Sequence, residues 1–506
     1  MGRELIQMVR CLVCCMLSAT LKQKVYSGVV WRGMERLVGQ AFQFVFSIIL
    51  ARLLQPEDFG TVALLMVFLA LSSVFVDSGF GAALVQRKNV EATDYDSVFY
   101  LNLCISCLFY LVLYLASPWV AQYYQTPILS SLMRCLAFSL ILNALNVVQN
   151  AILTREMRFK SSFLISMSQV VPAGVIGIVM AYVGFGVWSL VVGSLGGLFA
   201  GTITRWVSIG WYPGRRFSLQ AVSRLFRFGS KILCVGFIDV LFNNLYNLII
   251  GKLFSTVTLG HYSRGQMFPS AVVGTVNGTI GSVIYPALVS VQDDKVRIKN
   301  IIRRLIRINS FLVFPATFGL AAVAKPLVQV LLTEKWMPCV PFLQVACFAC
   351  AFLPLHTAHL NCLTATGRSD IFLKVEVLKK VFFVITILIS YRFGIMVMVV
   401  AGAVLSPVNL AINAWPNCSL LGYTVREQVS DILPFFLVAI LMSFSIIGIN
   451  SVFSNVFFLL AMQGVLGISV YWLGIFLAEK VGCLSIGNPF LNEYKSIFDL
   501  FLNVKK

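Results

Sequence analysis

The chain has 506 residues, of which 59% are hydrophobic and 12% charged, and its formal charge is +19. A soluble chain carries roughly 25% charged residues, so these proportions exclude a water-facing globule, and the mean hydropathy of +0.88 points to a membrane. In that setting the basic surplus reads as cytoplasmic loops rich in Lys and Arg, not as a nucleic-acid surface.

Apolar runs recur from end to end, each long enough to cross a hydrocarbon core of ~30 Å. They are uniformly apolar where barrel strands would alternate, so they predict helices. Residues 1–26 form a cytoplasmic segment whose apolar stretch, Leu5 to Ala19, is broken by Arg10. No small-residue cleavage site follows, so it reads as an extension and not a signal peptide; Met16 is an alternative start to Met1. Spans are then predicted at 27–51, 61–85, 98–120, 129–153, 161–183 and 186–208, forming an N-lobe over 27–208. A cytoplasmic loop at 209–228 leads to 229–251, 261–289, 308–324, 338–362, 372–391 and 394–421, a C-lobe over 229–421. Two further spans, 432–450 and 453–478, precede a cytoplasmic tail at 479–506. The fold class is an all-α polytopic membrane protein of about 14 transmembrane helices, two six-helix lobes plus two C-terminal helices.

Thirty of the 39 Lys and Arg fall in the two terminal segments and in or beside alternate inter-span segments, and five in the segments between them. That bias places both termini in the cytoplasm. No loop is long enough to hold a catalytic domain. Cysteines such as Cys104, Cys107, Cys347 and Cys350 lie in apolar segments, where they behave as small hydrophobes. Neither C-x-x-C pair has ligands beside it, so no metal and no cofactor is expected.

A shift of 200 residues lays Ile49-Leu50-Ala51-Arg52-Leu53-Leu54 on Ile249-Ile250-Gly251-Lys252-Leu253-Phe254, Gly60 on Gly260, Asp77 on Asn277 and Gly81 on Gly281. The register suggests two parallel repeats of six spans, an arrangement known in transporters.

Polar residues inside the spans are the candidate site. Span 1 carries Arg32, Glu35, Arg36, Gly39, Gln40, Gln43 and Ser47 at helical spacing. Span 7 carries Asp239, Asn243 and Asn247 in the shifted register. Charges at the bilayer centre cost ~2.5–3.5 kcal/mol on insertion scales, so they face protein or water. Glu35 either neutralises Arg32 or Arg36 as interhelical glue, or leaves a cationic surplus that takes an anion. Arginine grips phosphate with paired hydrogen bonds. Arg134 and Arg264 lie toward the outer side and either join such a path or snorkel to headgroups. Asp77 and its counterpart Asn277 are candidates for gating or coupling, or for a helix end. His356 and His359 share one helical face, as polar packing, a proton relay or half a metal site. Asp94-Tyr95-Asp96 and Pro56-Glu57-Asp58 read as acidic first turns of helices.

The run Leu21-Lys22-Gln23-Lys24, with Ser27-Gly28 and Trp31, resembles the N-terminus of the Wzx/TuaB-type polysaccharide transporters. So do Ala51-Arg52-Leu53-Leu54-Gln55-Pro56-Glu57-Asp58-Phe59-Gly60 and the stretch from Asp77 to Gln86. These belong to the multidrug/oligosaccharidyl-lipid/polysaccharide exporter superfamily. The resemblance implies flipping of undecaprenyl-diphosphate-linked oligosaccharide across a bacterial inner membrane, by alternating access through a cationic central cavity. The carried unit would be an O-antigen, capsule or exopolysaccharide repeat. It implies a transporter and not an enzyme, with the lipid-linked oligosaccharide and membrane lipids as partners, and room for a glycan polymerase and export machinery. By analogy of location it adds Arg52 to Arg32, Arg36 and Arg264 as cavity cations, and makes Asp77 and Asp239 the nearest coupling acids. Two other readings stand beside it. A cation-coupled multidrug exporter would call for acids in the cavity, and a membrane glycan polymerase or glycosyltransferase for an acidic catalytic cluster or a large outer loop.

Overall fold

The computed structural model describes residue 31 and residues 33–77, 80–86, 90–449, 453 and 455–480. Among these residues every regular element is helical. A helix satisfies its own backbone hydrogen bonds, as lipid requires.

In chain order the helices are α1 (Gly33–Leu53), α2 (Pro56–Asp77), α3 (Phe80–Gln86), α4 (Ala92–Tyr123), α5 (Ile128–Arg155), α6 (Phe159–Val183), α7 (Trp188–Ile209), α8 (Leu219–Leu253) and α9 (Thr256–Ser290). Then follow α10 (Lys295–Ala322), α11 (Ala324–Leu331), a 3-10 turn (Glu334–Cys339), α12 (Val340–Ala351), α13 (Leu353–Ala365), α14 (Ser369–Ser390), α15 (Ile395–Leu421), α16 (Val425–Gly448) and α17 (Val456–Lys480).

Eleven helical stretches among the described residues are long and apolar enough to cross a membrane. The predicted spans 229–251, 261–289 and 372–391 correspond to the helices α8, α9 and α14, and of these α14 is the highly charged one. The first twelve residues of α14 carry Asp370, Lys374, Glu376, Lys379 and Lys380. Large apolar side chains stand exposed along the flanks, among them Leu108, Leu111, Leu115 and Trp119 of α4 and Leu441 and Phe444 of α16. Water would not tolerate so much exposed apolar surface, whereas lipid solvates it. The chain is a multi-span helical membrane protein.

Two predicted spans are each built from more than one helix. The run 61–85 is α2, which begins earlier at Pro56, followed by α3. The run 338–362 breaks at Phe352, because Pro354 has no amide for a continuous helix. The acidic first turns expected at α2 and α4 are present. Gln55 N donates to Asp58 Oδ2 at 2.9 Å, and Glu91 N donates to Asp94 Oδ2 at 3.1 Å. Asp96 does more than begin a helix. Its Oδ1 accepts from Gly214 N at 2.9 Å, which ties the segment after α7 to the start of α4.

The helices fall into two compact units, one ending at Ser263 and the other beginning at Arg264. In the first, α4 packs on α5, α6 on α7, and α8 on α2. The buried side chains of Phe80, Leu84, Val98, Phe99, Val148 and Ile152 form its core near α3. Where α9 begins, it crosses α2 backbone to backbone. A Cβ on Gly60 would collide with Thr256 O, and one on Gly260 would collide with Pro56 O. Residues 56 and 60 map onto 256 and 260 under the 200-residue shift, so the two segments meet reciprocally and both contact positions are glycine.

In the second unit α10 packs against α16, α12 and α13. Asp431 of α16 is 2% exposed, yet it is fully partnered. Its carboxylate accepts from Arg303 Nε at 2.6 Å and Arg307 Nε at 2.7 Å, and from the Tyr423 hydroxyl at 2.9 Å. Glu427, one turn earlier, pairs with Lys299 Nζ at 3.0 Å and closes a capping box with Thr424. Burial first, and then the Asp431 carboxylate, push the Tyr423 phenol above its ordinary value, so Tyr423 stays a donor. On α13 and α15, Asn413 Nδ2 lies 3.1 Å from His356 Nδ1 and Asn417 Nδ2 lies 2.8 Å from His359 Nδ1. Each histidine is thus hydrogen-bonded to an asparagine of the neighbouring helix. No group of three or more His, Cys, Asp or Glu among the described residues is placed to hold a metal, and the described cysteines are free thiols.

Candidate functional site

Within the first unit, α6 and α7 approach so closely that side chains are excluded between them. A Cβ on Gly193 would lie 2.9 Å from Ala173 O, and one on Gly197 would collide with Gln169 O. Glycines four apart on one helix face allow this approach. On the other side of α6, Gly174 leaves room for the Phe46 ring of α1, which would overlap a Cβ there.

Between α1, the start of α2, α6 and α7 lies a cavity of ≈ 330 Å³. Its polar wall is formed by Gln43 and Ser47 of α1, Gln169 of α6, and Ser189 and Ser194 of α7, while Phe46 and Phe59 supply rings. None of the described residues lining it is charged. Ser194 donates its hydroxyl proton to Val191 O at 2.8 Å. Ser189 is different: it is 0% exposed, and its Oγ has no hydrogen-bond partner among the described residues. It lies in the first turn of α7, after a loop with positive φ at Gly184 and Gly186. The nearest upstream carbonyls, Phe185 O and Gly186 O, already accept from Trp188 N and Ser189 N.

Of the residues singled out from the sequence, Gln43 lines this cavity, and Ser47 of the same stripe joins it. Arg36 shares that face of α1 and is exposed; it lies seven residues below Gln43, or ~10 Å along the axis. Glu35 is half-buried, and its Oε2 has no hydrogen-bond partner among the described residues. Gln40 is half-buried and Arg52 is exposed at the end of α1. Arg32 lies outside the described residues, as does the side chain of Asp77.

The other arginines are held elsewhere. Arg134 of α5 donates from Nε to Ser117 Oγ at 2.9 Å and stacks over the Tyr114 ring at 4.5 Å, so it bridges α4 and α5. Arg264 belongs to the second unit and is 5% exposed. Its guanidinium lies 5.5 Å from the Trp336 ring centroid, and Nη1 lies 2.9 Å from Met267 Sδ. On α8, Asp239 is half-buried and Asn243 exposed, while Asn247 Nδ2 donates to Asn244 Oδ1 at 3.4 Å. Asn277 of α9 is half-buried with Oδ1 unpartnered among the described residues.

Sequence reasoning missed Gln169, Ser189, Ser194 and Phe59, because the polar stripes it followed were those of spans 1 and 7. The available signal was the glycine spacing of span 6, Gly193, Gly197 and Gly201, which marks the helix face on which α6 and α7 meet.

Comparison with known proteins fits this architecture. A family model described as "Polysaccharide biosynthesis protein" matches residues 49–341. The lipopolysaccharide biosynthesis protein WzxC of Escherichia coli (strain K12) is 24% identical, with 83% of this chain and 86% of that protein covered. The teichuronic acid biosynthesis protein TuaB of Bacillus subtilis (strain 168) is 23% identical, covering 85% and 90%. The succinoglycan biosynthesis transport protein ExoT of Rhizobium meliloti (strain 1021) is 26% identical, covering 67% and 69%. Among solved structures, the lipid II flippase MurJ in an inward closed conformation superimposes with a TM-score of 0.70 at 14% identity, covering 90% of this chain and 99% of that one. An inward-facing multidrug resistance MATE transporter of the MOP superfamily gives 0.56 at 15% identity, covering 78% and 100%. At these identities the solved structures establish a shared fold.

Proposed function

We propose, from the premise that this chain belongs to the polysaccharide biosynthesis protein family, that it flips lipid-linked oligosaccharide across the bacterial inner membrane. The observation that carries the reading is the similarity over most of the chain to proteins named for lipopolysaccharide, teichuronic acid and succinoglycan biosynthesis. The fold shared with a lipid II flippase supports it. Movement is by alternating access, with about fourteen spans once α8, α9 and α14 are included, and with both termini in the cytoplasm.

Arg32 and Arg36 receive the diphosphate near the cytoplasmic end of α1. The exposed guanidinium of Arg36 offers two parallel hydrogen bonds to phosphate oxygens. The glycan follows the polar stripe of α1 toward Gln40 and Gln43, while the polyprenyl tail stays in lipid. A glycan polymerase acting on the outer leaflet is the natural consumer of the product.

The deciding assay follows labelled undecaprenyl-diphosphate oligosaccharide in vesicles containing the purified protein, scored by accessibility of the glycan in each leaflet. Protein-dependent transfer is expected. Transfer no faster than in empty vesicles would remove the reading. In cells, Arg32→Ala and Arg36→Ala should abolish glycan export at unchanged protein abundance; normal export by both variants would sink the docking role.

A further inference from the structure

We propose that the cavity walled by α1, α6 and α7 is a binding site for one uncharged sugar ring of the transported glycan. The proposal rests on the lipid-linked oligosaccharide reading and adds what the site recognises and where.

Four observations carry it. The volume, ≈ 330 Å³, lies at the small end of ligand cavities and suits a single sugar ring, not a whole repeat unit. Among the described residues the wall contains amides and hydroxyls from three helices and no cation. A phosphate or carboxylate would enter it without a countercharge, at the cost of burying an unpaired ion. Sugar hydroxyls both donate and accept, as the Gln43 and Gln169 amides and the Ser189 hydroxyl do. Phe46 and Phe59 offer apolar ring surface to the C–H face of a pyranose.

The Ser189 hydroxyl is the sharpest indication. Other serines in these spans turn back on their own helix: Ser168 to Ile165 O and Ser194 to Val191 O, each at 2.8 Å. Ser189 is fully buried, lines the cavity and keeps its hydrogen-bonding capacity unspent among the described residues. Such a group calls for a guest. The cavity also lies at the right level. It begins at Gln43, ~10 Å along α1 from Arg36 and on the same helix face.

The test compares binding of bare undecaprenyl diphosphate with that of undecaprenyl diphosphate carrying one glucose, galactose, N-acetylglucosamine or glucuronic acid. Full-length protein in nanodiscs is used. At least one neutral sugar should tighten binding about tenfold or more over the bare lipid, and glucuronic acid should add nothing. Ser189→Leu, which replaces the hydroxyl with apolar bulk in the cavity wall, should erase the gain while bare-lipid binding stays unchanged. Gln43→Leu, at an exposed position, gives the same readout if Ser189→Leu lowers abundance.

Equal binding of bare and sugar-bearing lipids by a wild-type protein that flips the oligosaccharide would overturn the proposal and leave the function standing. A gain that survives both variants would do the same, and it would place the sugar elsewhere. A wild-type protein that neither binds nor flips any of these lipids would overturn the site together with the function.

Discussion

The cavity of the first unit and the ion-pair cluster where α10 and α16 begin in the second are both buried polar regions, and they are finished differently. Around Asp431, three donors converge on one carboxylate. Around the cavity, glycines bring α6 and α7 together, Ser189 is left without a partner among the described residues, and ≈ 330 Å³ stays open. A completed polar network fixes helices to one another, whereas an incomplete one beside open volume is built for a guest.

The largest expected effect falls on the closed region. Asp431→Ala leaves Arg307 without its acid and Arg303 with only Glu427, at 3.5 Å, and it should cost ~3 kcal/mol, the low end for breaking a buried ion pair because both guanidiniums keep partial access to water. Thermal unfolding of the purified protein would show it. An unchanged melting temperature would mean that α16 is held by apolar packing alone.

Tyr423→Phe removes one hydrogen bond to the same carboxylate, and the loss should be ~1.5–3 kcal/mol. Because the folded phenol titrates above its unfolded value, its contribution is complete below an unfolded pKa of about 10 and is lost as pH rises beyond that. Wild type and Tyr423→Phe should therefore keep a constant difference in melting temperature from pH 6 to 9 and converge only in alkali.

Gly60→Ala tests a third kind of contact, the reciprocal backbone crossing with Thr256. Overpacking there should cost ~1–3 kcal/mol, with Gly260→Ala producing a similar loss by the same geometry. Full stability in both variants would argue that α2 and α9 part readily at this point.

Ser189→Ala should give the smallest change in stability, within ~0.5 kcal/mol, because the hydroxyl it removes bonds to none of the described residues. Its effect belongs to transport, where export of a neutral-sugar glycan should fall several-fold. A variant that is markedly less stable yet exports normally would reverse the contrast and make Ser189 part of the scaffold.

Much was legible from residues alone. Hydropathy predicted the helical membrane architecture, because a span must be long and apolar whatever it packs against. The acidic first turns at Glu57-Asp58 and Asp94 were readable because helix starts are local. The 200-residue register was readable as well, and it led to Gly60 and Gly260.

What the sequence by itself could not decide was which polar residues remain available. Arg134 and Arg264 read equally as cations on the substrate path or as side chains snorkelling to headgroups when only their charge is considered; their contacts with Tyr114 and Ser117, and with Trp336, depend on neighbours far along the chain or on other helices. Composition likewise drew the eye past Ser189, one of many span serines. Only packing shows that its hydroxyl is buried, unpartnered among the described residues and beside an open volume. Length and apolarity are properties of a segment, so the chain carries them in plain sequence. Satisfaction of a polar group is a property of three-dimensional neighbours, so the tertiary structure alone decided it.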